Sequence, residues 1–369
     1  MLYPEALAVD RHTATVGSRR DLRNRLVAGA VVAVAGVFVV YLLAVRTRWG
    51  QDFENAALAG ARQHRSGSWY EDADRWLNRL TAESFGASLV VIAAVGLLRR
   101  RFLLALCGVL TAGGAVLAAR FMKGALPSRP VFGADALGAI HAAGGAAGAG
   151  HAVNAATAAS AASAVAAPNA AAHDAVASVA ATMAHVALAQ ATYQPPNTLP
   201  SGHAAAAMGL FFAALIVISR RWYVPVTLLV LPGAALAGVA TVAADWHRLS
   251  DTVAADLLAL AVGLLGLAVV AQIGLVRPEP SLGRSSLGQR LLYAALLSIA
   301  TVSLAVGLAF FARYHSATSA LGREDAAYWS AQALALGAAV TAAGMMLAVC
   351  RNLESVGTRP PPRLTIQAP

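Results

Sequence analysis

Residues 200–219 read PSGHAAAAMGLFFAALIVIS, a Pro-Ser-Gly-His turn that runs without a break into an apolar segment. A helix needs about 20 apolar residues to cross the hydrocarbon core of a bilayer. The run from His203 to Ser219 approaches that length and can be extended by its flank. Working outward, His247-Arg248-Leu249-Ser250-Asp251 opens another apolar run, and a third run ends at Lys123, the chain's single lysine, followed by Arg129-Pro130.

The same reading over the whole chain predicts eight spans, at about 26–45, 83–98, 102–119, 203–219, 224–243, 252–276, 289–312 and 326–350. Of the 369 residues 58% are apolar and only 12% charged, half of what a soluble protein of this size carries. The expected fold is all-α, a polytopic membrane bundle. The net charge of +10 does not point to nucleic acid. Basic residues cluster at Arg11–Arg25, Arg99–Arg101, Arg220–Arg221, 277–290 and 351–363, which eight spans with an inside amino terminus place on the cytoplasmic face. That is the positive-inside pattern. Cys107 and Cys350 fall inside predicted spans, which excludes a disulfide framework, and a metal site needs more ligands. The first span starts late and lacks a small-residue cleavage site, so it reads as an uncleaved anchor.

Between the spans, residues 1–25 read as a polar cytoplasmic tail. Spans one to three fill 26–130, and inside them 51–82 mixes Trp69, Tyr70 and Trp76 with charges. That segment suits an interfacial helix or a polar connector equally well. Residues 131–199 form an Ala/Gly-rich insertion, with enough alanine for helices at 152–166 and 169–192. Its His141, His151, His173 and His185 match no metal spacing. Spans four to six occupy 200–276, two more spans fill 277–350, and 351–369 reads as a disordered cytoplasmic tail.

Counting spans puts Lys123 and Arg129, Ser201-Gly202-His203, and His247 with Asp251 on one side of the membrane, the outer one. Each group has a chemical use there. Ser201 and Gly202 sit at a helix amino terminus, where free N–H groups attract an anion and glycine allows close backbone approach. His203 is placed to protonate a leaving oxygen. His247 and Asp251, four apart, share a helical face, so a carboxylate can fix the imidazole tautomer and leave the other nitrogen nucleophilic. Lys123 and Arg129 are placed to neutralise phosphoryl oxygens.

The order Lys…Arg-Pro, Pro-Ser-Gly-His, His-x-x-x-Asp resembles the type 2 phosphatidic acid phosphatase superfamily, over roughly residues 85–276. The resemblance implies a six-helix core, no cofactor or metal, and a phosphohistidine intermediate. His247 would be nucleophile, Asp251 its orienter and His203 general acid, with Lys123, Arg129, Ser201 and Gly202 on the phosphate. Two departures stand out: five residues instead of six separate Lys123 from Arg129, and Thr241 stands where the family has an arginine. Arg248 is the candidate substitute. The implied substrate is a lipid phosphomonoester or polyprenyl diphosphate, met at the outer face of the plasma membrane. A phosphotransferase, or a protein that binds lipid phosphate without turnover, are the alternatives. The Ala- and Arg-rich usage fits a GC-rich bacterial genome, where turnover of a cell-envelope carrier lipid is the natural setting.

Overall fold

A computed structural model describes residues 4–130, 197–278 and 286–355. The predicted helices at 152–166 and 169–192, the four histidines between 141 and 185, and the tail beyond 355 lie outside the described residues. By contacts the chain divides into two compact units. One joins Met1–Ala125 with Thr198–Pro369, and the other is Leu126–Asn197.

The first unit is a helical bundle. Its helices are α1 (Pro4–Val40, continued by a wider π turn over Tyr41–Val45), α2 (Arg48–Gln63), α3 (Ser68–Leu77), α4 (Ala82–Leu98) and α5 (Phe102–Ala125). After the second unit come α6 (Gly202–Val217), α7 (Tyr223–Ala243), α8 (Leu249–Gln272), α9 (Leu287–Ser316) and α10 (Ala320–Cys350). Local chemistry sets many of the starts. Thr47, Thr81, Ser201, Ser286 and Ser319 each take the N-cap position and accept a hydrogen bond from a backbone N–H three residues on. Ser286 and Gln289 complete a reciprocal capping box for α9.

Among the described residues, six helices are long and apolar enough to cross a bilayer: residues 19–45 of the first, α5, α7 with the turn before it, α8, α9 and α10. The other two predicted spans have explanations. Helix α4 has 17 residues and reaches spanning length only together with α3, from which it is bent by 63°. Helix α6 has 16 residues, about 24 Å at 1.5 Å per residue. It can be short because it sits inside the protein: Met208, Phe211 and Phe212 have no exposed surface. The helix carrying the first span begins at Pro4, within the segment read as a tail. The segment 51–82 resolves into two amphipathic helices, α2 and α3, rather than one.

In lipid, apolar side chains gain little by leaving tails for another helix, so close packing of small residues carries helix association. The bundle shows this around α6. A Cβ on Gly108 of α5 would meet Val217 Cγ2 at 2.6 Å, and one on Gly209 would meet Ala115 Cβ at 3.0 Å. On α8, a Cβ on Gly266 would meet Thr111 Oγ1 of α5 at 2.4 Å. Outward faces are apolar where lipid is expected, as at Leu228 and Leu229 of α7 and Leu291, Leu297 and Val302 of α9. At the carboxyl end of α8, a two-stranded antiparallel ladder pairs β1 (Val276–Pro278) with β2 (Leu353–Ser355). The two motifs lie at the other end of that helix.

Candidate active site

The third motif is built by the turn between α7 and α8. Helix α7 ends at Ala243, and the carbonyl of Thr241 accepts hydrogen bonds from both Trp246 N and His247 N, each at 3.0 Å. Asp245 holds the turn with φ +61°, a left-handed value that aspartate tolerates better than most residues. Its carboxylate accepts from Arg62 of α2 at 2.8 Å and from Arg65, just past the end of that helix, at 3.1 Å. The turn delivers His247 directly above the start of α8.

His247 Nδ1 lies 3.2 Å from Asp251 Oδ2, and the same oxygen accepts from Arg248 N at 3.1 Å. Asp251 thus serves two ends. As the third residue of α8 it satisfies the N-cap amide, and it holds the imidazole. Its side chain is fully buried and that of His247 is 12% exposed. A buried carboxylate needs charge-assisted partners, which these two N–H groups supply. With the proton on Nδ1 directed at Asp251, Nε2 is the free nitrogen.

The Pro-Ser-Gly-His turn is tied to the same helix. Ser201 N donates to the carbonyl of Asp251 at 2.8 Å, and Ser201 Oγ caps α6 by accepting from Ala204 N at 3.4 Å. A Cβ on Gly202 would meet nothing within 4 Å, so there is room beside the backbone at that point of the first turn of α6. That is the form an anion-binding helix terminus takes. His203 packs edge-on against Trp246 at 5.4 Å between ring centres, and Trp246 in turn donates to Asp74 of α3 at 3.0 Å. His203 is within electrostatic reach of His247 and Lys123, and Lys123 of Asp251. The structure therefore gathers Lys123, Ser201, Gly202, His203, His247 and Asp251 at one end of the bundle.

Arg129 and Arg248 are the two remaining candidates. Arg129 belongs to the second compact unit. Arg248 is beside His247 in sequence, but its guanidinium Nη1 donates to Asn55 Oδ1 on α2. Thr241, at the position of the family arginine, is fully buried; its hydroxyl donates to Gly238 O at 2.7 Å and lies 3.3 Å from Thr252 Oγ1. That side chain is part of the tight α7–α8 contact.

His203 is among the residues that line an apolar groove of about 240 Å³. It runs between Phe85 and Ser88 of α4, Ala207 and Leu210 of α6, and Val230 and Gly233 of α7. Among the described residues, no group of three or more His, Cys, Asp or Glu side chains is placed to hold a metal ion. Sequence reasoning passed over Glu54 and Asn55 of α2, which contact the third motif, and Arg62 and Arg65, which hold the turn before it. They lie about 190 positions away along the chain, and no local pattern marks them.

No curated protein and no solved structure matches the chain. Residues 178–274 match the family model described as PAP2 superfamily. The matched segment carries both the Pro-Ser-Gly-His turn and the His247–Asp251 pair, so the part of the chain that builds the site is similar to that superfamily.

Proposed function

We propose that the protein is a membrane phosphatase that hydrolyses a lipid phosphomonoester or polyprenyl diphosphate through a phosphohistidine. The observation that carries this reading is the placement of His203. His203 feels the charges of His247 and Lys123, and it also lines an apolar groove. Such a junction suits an amphiphile, with the phosphate at the polar end and the chain in the groove.

In the proposed reaction His247 Nε2 attacks phosphorus, and the bond from phosphorus to the lipid oxygen breaks. His203 gives its proton to that leaving oxygen. Asp251 keeps the Nδ1 proton in place and stabilises the positive charge that grows on the ring. Lys123, the amides at the start of α6 and, by resemblance, Arg129 offset the phosphoryl charge. Water then attacks the phosphohistidine, giving a proton back to His203 and releasing inorganic phosphate from Nε2. The outer membrane face is the side this reading assigns to the site, on the charge pattern of the loops.

Phosphate release by the purified protein in detergent, across a panel of lipid phosphates with chelator present, tests the reading. Chelator-insensitive release from at least one amphiphile is expected. Transfer to an added alcohol with no free phosphate would replace hydrolysis by phosphotransfer, and binding with neither product would sink both. Because His247 must be neutral and His203 protonated, kcat/KM against pH should be bell-shaped. A profile that rises or falls monotonically contradicts the paired roles.

The groove gives a separate expectation. Gly233 lines it, and a Cβ there meets nothing within 4 Å, so a larger side chain enters the groove without disturbing the helices. Gly233→Leu should raise KM for a long-chain substrate by about tenfold, the scale of a few lost methylene contacts. Turnover of a short, water-soluble phosphomonoester should stay unchanged. Equal effects on both substrates would remove the groove from the account.

A further inference from the structure

Helix α2 is the element the mechanism leaves unused, yet it touches the start of α8 twice. Glu54 is 3% exposed, and its Oε1 accepts a hydrogen bond from Ser250 N at 2.9 Å. The neighbouring Asn55 accepts from Arg248 Nη1. Ser250 and Arg248 flank Leu249 at the first turn of α8, between His247 and Asp251. The free amides of a helix's first turn need acceptors. Asp251 supplies one from within the motif, and Glu54 supplies another from outside it.

Helix α2 packs on both helices beyond the six-helix core, with Phe53 edge-on to Phe311 and Tyr314 of α9 and its carboxyl half against α10. Gly60 brings the two backbones together: a Cβ there would come 2.3 Å from Glu324 O and 2.8 Å from Tyr328 Cβ. His64 stacks on Tyr328 at 4.7 Å and its Nε2 is 3.0 Å from Asp325 Oδ1. Gln63 Nε2 donates to Glu324, and Trp69, just beyond α2, donates to Gln332 Oε1 at 2.8 Å. A continuous path of packed and hydrogen-bonded groups thus runs from α10 through α2 to the amide beside Asp251.

We infer that Glu54 is a positioning residue for the His247–Asp251 pair, and that α10 is appended to the core to hold α2 and Glu54 in place. The inference rests on the phosphatase reading for its kinetic consequences, though the clamp itself does not. Fixing the first turn of α8 fixes Asp251, and Asp251 fixes the tautomer and direction of His247. Orientation of this kind is worth as much as a hundredfold when misplaced by an ångström.

The test compares Glu54→Ala with Glu54→Gln in the full-length protein. Glutamine keeps Oε1 as an acceptor for Ser250 N; alanine removes it. Glu54→Ala should lower kcat between about ten- and a hundredfold with KM little changed, and Glu54→Gln should restore most of it. The bell of kcat/KM against pH should keep its two limbs in both variants. Loss of one limb in Glu54→Gln would make Glu54 an acid or base and overturn the positioning role. So would an Ala variant that melts lower but keeps wild-type kcat per folded molecule. Hydrogen exchange of a peptide spanning 247–256 reads the clamp without any activity. Exchange should be faster in Glu54→Ala and near wild type in Glu54→Gln, whether or not the wild type hydrolyses a lipid. Unchanged exchange in Glu54→Ala would overturn the clamp, whereas an inactive wild type with the expected exchange would overturn only the phosphatase reading. Gly60→Ala, which touches neither motif, should reproduce a smaller loss of kcat; a folded variant with wild-type kcat would remove α10 from the inference.

Discussion

Alanine at position 247 is expected to lower phosphate release by at least about 10³-fold, since removing a covalent nucleophile leaves only the binding groups to act. The fold should survive, because the turn is held by backbone. Thr241 O accepts the amide of residue 247 whatever its side chain, and Asp245 keeps its arginines. One structural cost is foreseeable. Asp251, fully buried, loses the imidazole N–H and retains Arg248 N, a penalty on the order of 1–3 kcal/mol. His247→Asn separates the two effects, because its amide nitrogen can stand in for Nδ1 toward Asp251 while offering no nucleophile. It should be as inactive as the alanine variant and melt closer to wild type. Phosphate release in His247→Asn within tenfold of wild type would mean another residue carries the phosphoryl group.

The second large effect is at Asp251. In Asp251→Asn the amide oxygen can still accept from Arg248 N, so the helix cap is kept. The same oxygen also faces Nδ1, so the imidazole keeps its acceptor and its tautomer, and what is lost is the carboxylate charge that stabilises the positive ring formed in the attack. Turnover should fall by at least about 10²-fold, the scale of losing one electrostatic stabiliser of the transition state. Substrate binding, measured with the inactive variant, should change little. A loss confined to KM would place Asp251 in binding rather than in orienting the nucleophile.

The parts of this site legible in the sequence are those with a local signature. Four-residue spacing put His247 and Asp251 on one face, and the structure joins them through Nδ1 and Oδ2. A Ser-Gly-His at the head of an apolar run announced a capped helix terminus, and Ser201 caps α6. Hydropathy located the long spans because the bilayer imposes length directly. It was less telling for α4 and α6, whose lengths are set by a bend and by burial within the protein rather than by lipid thickness. Arg248 illustrates a different limit. Adjacency to His247 made it a candidate for the phosphate, but nothing in the sequence signals that its Nη1 also donates to Asn55 of α2. Glu54 had no signature at all. A buried glutamate on an amphipathic helix looks like any polar residue until the tertiary fold brings Ser250 N to it.

The central claim, that His247 forms a covalent bond to phosphorus, is tested most directly by trapping. Wild-type protein mixed with lipid phosphate, quenched in alkali and mapped by mass spectrometry should carry a base-stable, acid-labile phosphate on the peptide containing His247. Phosphate on His203 or on another residue, or rapid turnover with no phosphorylated histidine at any quench time, would contradict the account.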